Sequence, residues 1–170
     1  MKKNDKQERH IIAIVVDNEA GVLGRVVGLF SGRGYNIESL TVAQINDQDQ
    51  LSRITIVTKA VPKIIAQILA LLENLVPTHK VCDVTVTGPY VERELALVKV
   101  AGAGEHRIEA LRIAEIFRSR VVDSTAQSFV FEVTGNPEKL DAFIDLMKPL
   151  GLVEVTRTGI TAITRGAESI

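Results

Sequence analysis

The sequence predicts an α+β protein built from two consecutive βαββαβ units. Three observations carry that prediction: strand-like and helix-like patterns alternate in the same order twice, the two halves end on a similar six-residue run, and 170 residues can supply two small cores. Residues 11–16 are a near-continuous apolar run rich in β-branched residues, broken by Asp17-Asn18-Glu19-Ala20-Gly21, which reads as a strand and a turn. Val22, Leu23, Val26, Val27 and Phe30 then recur at helical spacing until Ser31-Gly32-Arg33-Gly34 stops the helix. Residues 37–45 and 51–58 read as strands that pair across the polar stretch 46–50. Pro62 opens a second helix with the stripe Ile64, Ile65, Ile68, Leu69, Leu72 and Leu75. Residues 81–87 close the unit as a strand with Cys82, Val84 and Val86 on one face.

The remainder repeats this order. Residues 94–100 read as a strand, 108–117 as a helix, and 121–122 and 128–133 as strands. Leu140, Phe143, Ile144, Met147 and Leu150 form a helix stripe after Pro137, and residues 152–163 give the last strand. Asp83-Val84-Thr85-Val86-Thr87-Gly88 matches Glu154-Val155-Thr156-Arg157-Thr158-Gly159, which supports two related halves. The expected architecture is therefore two ferredoxin-like βαββαβ units in tandem, each an antiparallel sheet with both helices on one face. A tail at residues 1–8 precedes a first domain at 9–88, and a second domain at 89–166 ends in a tail at 167–170. The boundary falls near Gly88-Pro89-Tyr90. Because residues 11–16 lack polar alternation, the second face of that strand must also be covered, which points to at least a dimer. Cover by the protein's own second half is the other reading.

Composition removes several function classes. Twenty basic against 21 acidic residues leave no broad positive field for nucleic acid, and 4% aromatics with no Trp leave little for base stacking. The core is accordingly expected to be aliphatic. Cys82 is the only cysteine, which excludes an internal disulfide and fits a reducing compartment. His10, His79 and His106 have no metal-type spacing. No run approaches the ~20 apolar residues of a membrane span, and residues 11–16 are too short for a secretory signal, so a cytoplasmic protein is expected.

Catalytic groups are hard to find. Glu105, His106 and Glu109 read as a solvated helix start, Cys82 as inert packing, and Ser39 has no nearby His to activate it. Gly21, Gly24 and Gly28 do not have the spacing of a dinucleotide loop; Gly24 and Gly28 instead make a small strip on which another element can pack. Two stretches remain. The turn from Asp17 to Leu23 joins a strand end to a helix N-terminus, where free amides suit a carboxylate or phosphate and Gly21 lets a ligand approach. Asn18 can either cap the helix or meet a polar ligand. Asn36, at the entry to the next strand, can either form the turn or bind a ligand's charged groups.

Asp17-Asn18-Glu19-Ala20-Gly21-Val22-Leu23 resembles the general signature of ACT domains, βαββαβ modules that bind amino acids. With residues 29–40, running Leu29-Phe30-Ser31-Gly32-Arg33-Gly34-Tyr35-Asn36-Ile37-Glu38-Ser39-Leu40, it closely resembles the regulatory (small) subunit of acetohydroxyacid synthase, also called acetolactate synthase. The likeness continues through Val91-Glu92-Arg93-Glu94-Leu95, Glu115-Ile116-Phe117-Arg118, Lys139-Leu140-Asp141-Ala142-Phe143 and Arg157-Thr158-Gly159, so it spans residues 9–166.

The resemblance implies a non-catalytic chain that binds and activates a separate catalytic large subunit. That partner holds thiamine diphosphate, magnesium and FAD, and condenses two pyruvates, or pyruvate with 2-ketobutyrate, in branched-chain amino-acid synthesis. No cofactor is expected in this chain. The resemblance also implies a homodimer and feedback inhibition, most often by valine. The effector would sit where two ACT domains meet: Asn18, Gly21, Val22 and Leu23 would take the amino acid's backbone charges, and Asn36 and Ile37 of the other chain would close the pocket. Ala20 and Gly24 stand where the family varies, which leaves ligand preference open. The alternative is a free-standing ACT-type sensor that controls some other protein.

Overall fold

The structure, a computed structural model, describes residues 6–46, 48 and 50–170. The chain divides into two compact units: residues up to Val91 together with Ile160–Ile170, and Glu92–Gly159. Of the tail expected at residues 1–8, residues 1–5 lie outside the described part, and Glu8 already belongs to the first strand.

In the first unit, β1 (Glu8–Asp17) leads into α1 (Val22–Ser31), followed by β2 (Ser39–Asn46), β3 (Leu51–Ala60), α2 (Pro62–Glu73) and β4 (Thr78–Asp83). The strands form an antiparallel sheet in the order β2-β3-β1-β4. Apolar stripes on both helices cover one face, where Ile12, Ile14 and Val16 of β1 meet Val26, Phe30, Ile68 and Leu72. This is the expected βαββαβ arrangement.

The segment 81–87, expected as one strand, is not one. β4 ends at Asp83 and Val84–Thr87 form a short helix, α3. Asp83 causes the change: its Oδ1 accepts the Thr85 N–H (3.1 Å) and the Thr85 hydroxyl, which caps a helical turn better than it continues a strand. The expected shared face dissolves with it, since Val84 is fully buried and Val86 is exposed. Asp83 Oδ2 also lies 2.7 Å from Nδ1 of the buried His10.

The second face of this sheet is covered by the chain itself, and the dimer inferred from the unbroken apolar strand is not needed to cover it. Ile11, Ala13 and Val57 on that face pack with Val84, Ile160 and Ala162, and Ile170 adds to the cluster. The last strand expected over residues 152–163 is in fact two, β8 (Leu152–Arg157) and β9 (Thr161–Thr164), separated at Gly159 with φ +87°. A positive φ suits glycine and turns the chain out of the strand. The residues expected as a tail at 167–170 are anchored, with Lys80 Nζ donating to Ser169 O (2.8 Å) and Ile170 in the cluster.

The second unit repeats the topology with β5 (Tyr90–Ala101), α4 (Glu105–Ile116), β6 (Arg120–Ser124), β7 (Ser128–Gly135), α5 (Pro137–Met147) and β8. Its sheet runs β6-β7-β5-β8. The expectation of an aliphatic core holds for the first unit only. Four of the five phenylalanines lie here, and Phe143 stacks within 5.4 Å of Phe117 and 6.0 Å of Phe131. Arg157 on β8 holds buried Glu94 through two hydrogen bonds, Nε–Oε1 at 2.9 Å and Nη2–Oε2 at 2.6 Å, and Asp141 through a third at 2.6 Å. The hydrogen bonds to Glu94 push the pKa of the guanidinium up, although burial opposes them.

Candidate functional site

The turn between β1 and α1 is pinned by its backbone. Asp17 N–H donates to Pro77 O (2.9 Å) and Asn18 N–H to Gln50 O (2.7 Å), which fixes the turn over the end of the β2–β3 hairpin. Gly21, with φ +87° and ψ −9°, is the N-cap of α1, and no side chain caps the helix. Asn18 is therefore not a helix cap, which removes one of its two sequence readings and leaves its exposed amide available. Val22 is buried and its N–H donates to Glu19 O at 3.4 Å. The amides of Leu23 and Gly24 have no acceptor within the helix, by the geometry of a first turn. Together with the positive end of the helix dipole they favour a carboxylate.

Beside this turn His79 Nε2 hydrogen-bonds Asp17 Oδ1 at 2.6 Å. Nothing in the sequence signals this pair, because the two residues meet only through the β1–β4 pairing. The described residues contain no group of three or more His, Cys, Asp or Glu placed to hold a metal ion, and no helix among them is long and apolar enough to cross a membrane.

Asn36 and Ile37 stand at the other end of the sheet. Asn36 is exposed, and its carbonyl accepts the Thr58 hydroxyl at 2.6 Å. It borders a cleft of about 450 Å³ with Arg33, Tyr35, Lys59 and Ile64, and no residue of the β1–α1 turn lines that cleft. The distance between the two motifs follows from register. Asp17 and Asn46 are both level with Leu51 on β3, whereas Ser39 is level with Val57. Six residues of strand at ~3.4 Å each separate these levels by about 20 Å. One chain therefore does not bring Asn18, Gly21, Val22 and Leu23 to Asn36 and Ile37.

β2 is an edge strand of the sheet, as β4 is at the opposite side. α2 packs on β4 and β1, which leaves α1 on the β3–β2 side. Leu23 and Val27 on α1 are about 40% exposed, as is Val42 on the helix-facing side of β2. The sequence strip Gly24 and Gly28 is also open, with no atom within 4 Å of a methyl built at either position.

An antiparallel βαββαβ sheet whose first turn and second-strand entry are left exposed fits the class of ACT-domain proteins, and the comparisons place the chain there. A family model for an "AHAS small subunit-like ACT domain" matches residues 12–80, and one for the "Small subunit of acetolactate synthase" matches residues 93–166. A probable acetolactate synthase small subunit of Archaeoglobus fulgidus is 47% identical, over 93% of this chain and 98% of its own. The isozyme 3 small subunit of Escherichia coli is 43% identical, over 93% and 96%. The crystal structure of the small subunit from Thermotoga maritima superimposes with a TM-score of 0.86 at 36% identity, over 95% of this chain and 99% of that one. The chain belongs to the family of acetolactate synthase small subunits, a regulatory class whose name places it beside a catalytic large subunit in branched-chain amino-acid biosynthesis.

Proposed function

We propose that this chain binds and activates the catalytic large subunit of acetolactate synthase in the cytoplasm, and makes it sensitive to feedback inhibition by valine or another branched-chain amino acid. Thiamine diphosphate, magnesium and FAD belong to the large subunit in this reading. The effector lies between two copies of the ACT domain.

The observation that supports this most is the separation of the two motifs. If β2 pairs antiparallel with its own copy across a two-fold axis, the start of β2 in one chain comes level with the end of β2 in the other. That end carries the β1–α1 turn, because Asn46 and Asp17 share a level on β3. Asn36 and Ile37 of one chain then close over Asn18, Gly21, Val22 and Leu23 of the other. The same pairing would cover the open β2 edge and the exposed Leu23, Val27 and Val42. In the pocket the amides of Leu23 and Gly24 take the carboxylate and the Asn18 carbonyl takes the ammonium. A coupling of about 1–3 kcal/mol between effector site and catalytic contact changes activity several-fold.

Calorimetric titration of L-valine into wild type and Asn18→Ala tests the site: wild type binds, and the variant binds at least tenfold more weakly. Unchanged affinity in the variant would remove the assignment. Mixing the chain with its large subunit tests the role, since carboligation should rise and then fall on addition of valine. A chain that binds valine but neither associates with the large subunit nor changes its rate would be a free-standing sensor.

A further inference from the structure

The end of the chain is bound to the strand that enters the effector pocket. Ile160 is tied to β2 on both sides of its peptide unit: its N–H donates to Ser39 Oγ at 2.8 Å and its carbonyl accepts from Thr41 Oγ1 at 3.1 Å. Ser39 and Thr41 alternate onto the same face of β2, so the two hydroxyls hold one residue of the C-terminal segment. The segment is fixed again by Arg53 Nη2 on Ala162 O (2.8 Å) and by Arg165 N–H on Pro89 O (2.8 Å). Ile160 and Ala162 are buried. Ser39 stands two residues beyond Ile37, so any shift of the β2 entry must stretch or carry the contact with Ile160.

We infer that residues 160–170 form a strap that holds the start of β2 in the geometry that binds the effector, with Ser39 and Thr41 as its positioning residues. This rests on the reading that Asn36 and Ile37 close the effector pocket. Effector binding and strap docking are then linked, and the linkage is reciprocal: what loosens the strap weakens the effector, and the effector tightens the strap. A strap that only filled the face of the sheet would show neither half of that relation.

The test uses the full-length protein. L-valine, L-leucine and L-isoleucine are titrated into wild type, the double variant Ser39→Ala/Thr41→Val, and Ser39→Thr, which keeps a hydroxyl. Amide hydrogen exchange at residues 160–164 is followed with and without saturating ligand. The expected result is a loss of affinity of about tenfold in the double variant, near-wild-type affinity in Ser39→Thr, and severalfold slower exchange at Ile160 in wild type when ligand is bound. Affinity within twofold of wild type in the double variant, or exchange at Ile160 that ligand does not alter, overturns the proposal. If wild type binds and Asn36→Ala does not, such a result removes the strap and keeps the pocket. If wild type binds none of the three amino acids, the effector reading falls and the strap proposal falls with it.

Discussion

β1 is buried without interruption from Ile11 to Val16, whereas β5, which holds the same place in the second sheet, alternates buried Ala96, Val98 and Val100 with more exposed Leu97 and Lys99. The connectivity is the same, so topology does not produce the difference. The first sheet has helices on one face and the strap on the other; the second has helices on one face and an open cleft on the other, lined by Leu97, Lys99, Val130, Glu154 and Thr156. Strand periodicity therefore counts covered faces, and does not by itself say what covers them. The cores differ too, with β-branched aliphatics in the first unit and a phenylalanine cluster in the second.

The largest predicted effect lies in the second unit, at a charge. Arg157→Met would leave Glu94 buried without its partner, at a cost of about 3–5 kcal/mol. Urea unfolding followed by a probe in each unit should show the loss in the second unit's transition. A loss under about 1 kcal/mol would mean that Glu94 finds solvent. Next comes the contrast between the outer faces. Ile11→Ala on the sealed face should cost about 2–5 kcal/mol, and Leu97→Ala on the open face about 0.5 kcal/mol or less. Equal losses would show that the face of the second sheet is covered in solution by another chain.

Much of this fold can be read in the sequence, and the failures have physical causes. The α2 stripe, the hairpin, and the element order of both halves follow from periodicity, because one-sided burial writes a period into the chain; the α1 stripe is right only in part, since Val22, Val26 and Phe30 are buried while Leu23 and Val27 are exposed. The two motifs proposed for the effector site are local features, a glycine turn and an exposed amide, so both can be picked out in the sequence. The six-residue match misleads in detail. Asp83-Val84-Thr85-Val86 turns into a helix after Asp83, while Glu154-Val155-Thr156-Arg157 stays in strand β8. Aspartate is short enough to cap the Thr85 amide; glutamate is not a strong cap, and Glu154 instead reaches across to Lys99 Nζ at 2.6 Å. The strap is not legible, because what Ile160 touches is settled by Ser39 and Thr41 far away in the chain. Gly159 within an apparent strand is the one local sign of the break.

The matched pair of acids gives the two smaller predictions. Asp83→Ala removes both the cap of α3 and the partner of buried His10, and should destabilise the first unit by about 1–3 kcal/mol in the same unfolding measurement. A neutral result would mean that α3 forms without its cap. Glu154→Ala should leave the unfolding midpoint of the second unit unchanged, because its carboxylate is exposed and screened. Its titration is the more sensitive reporter. The hydrogen bond from Lys99 lowers the Glu154 pKa below its ordinary 4.5, so whatever the pair contributes is present above that value and fades as pH falls through the lowered one. Lys99→Met should return the Glu154 titration, followed by carboxyl carbon NMR, upward toward 4.5. A titration that does not move would show that the pair is not formed in solution, and that the face it crosses is more open still.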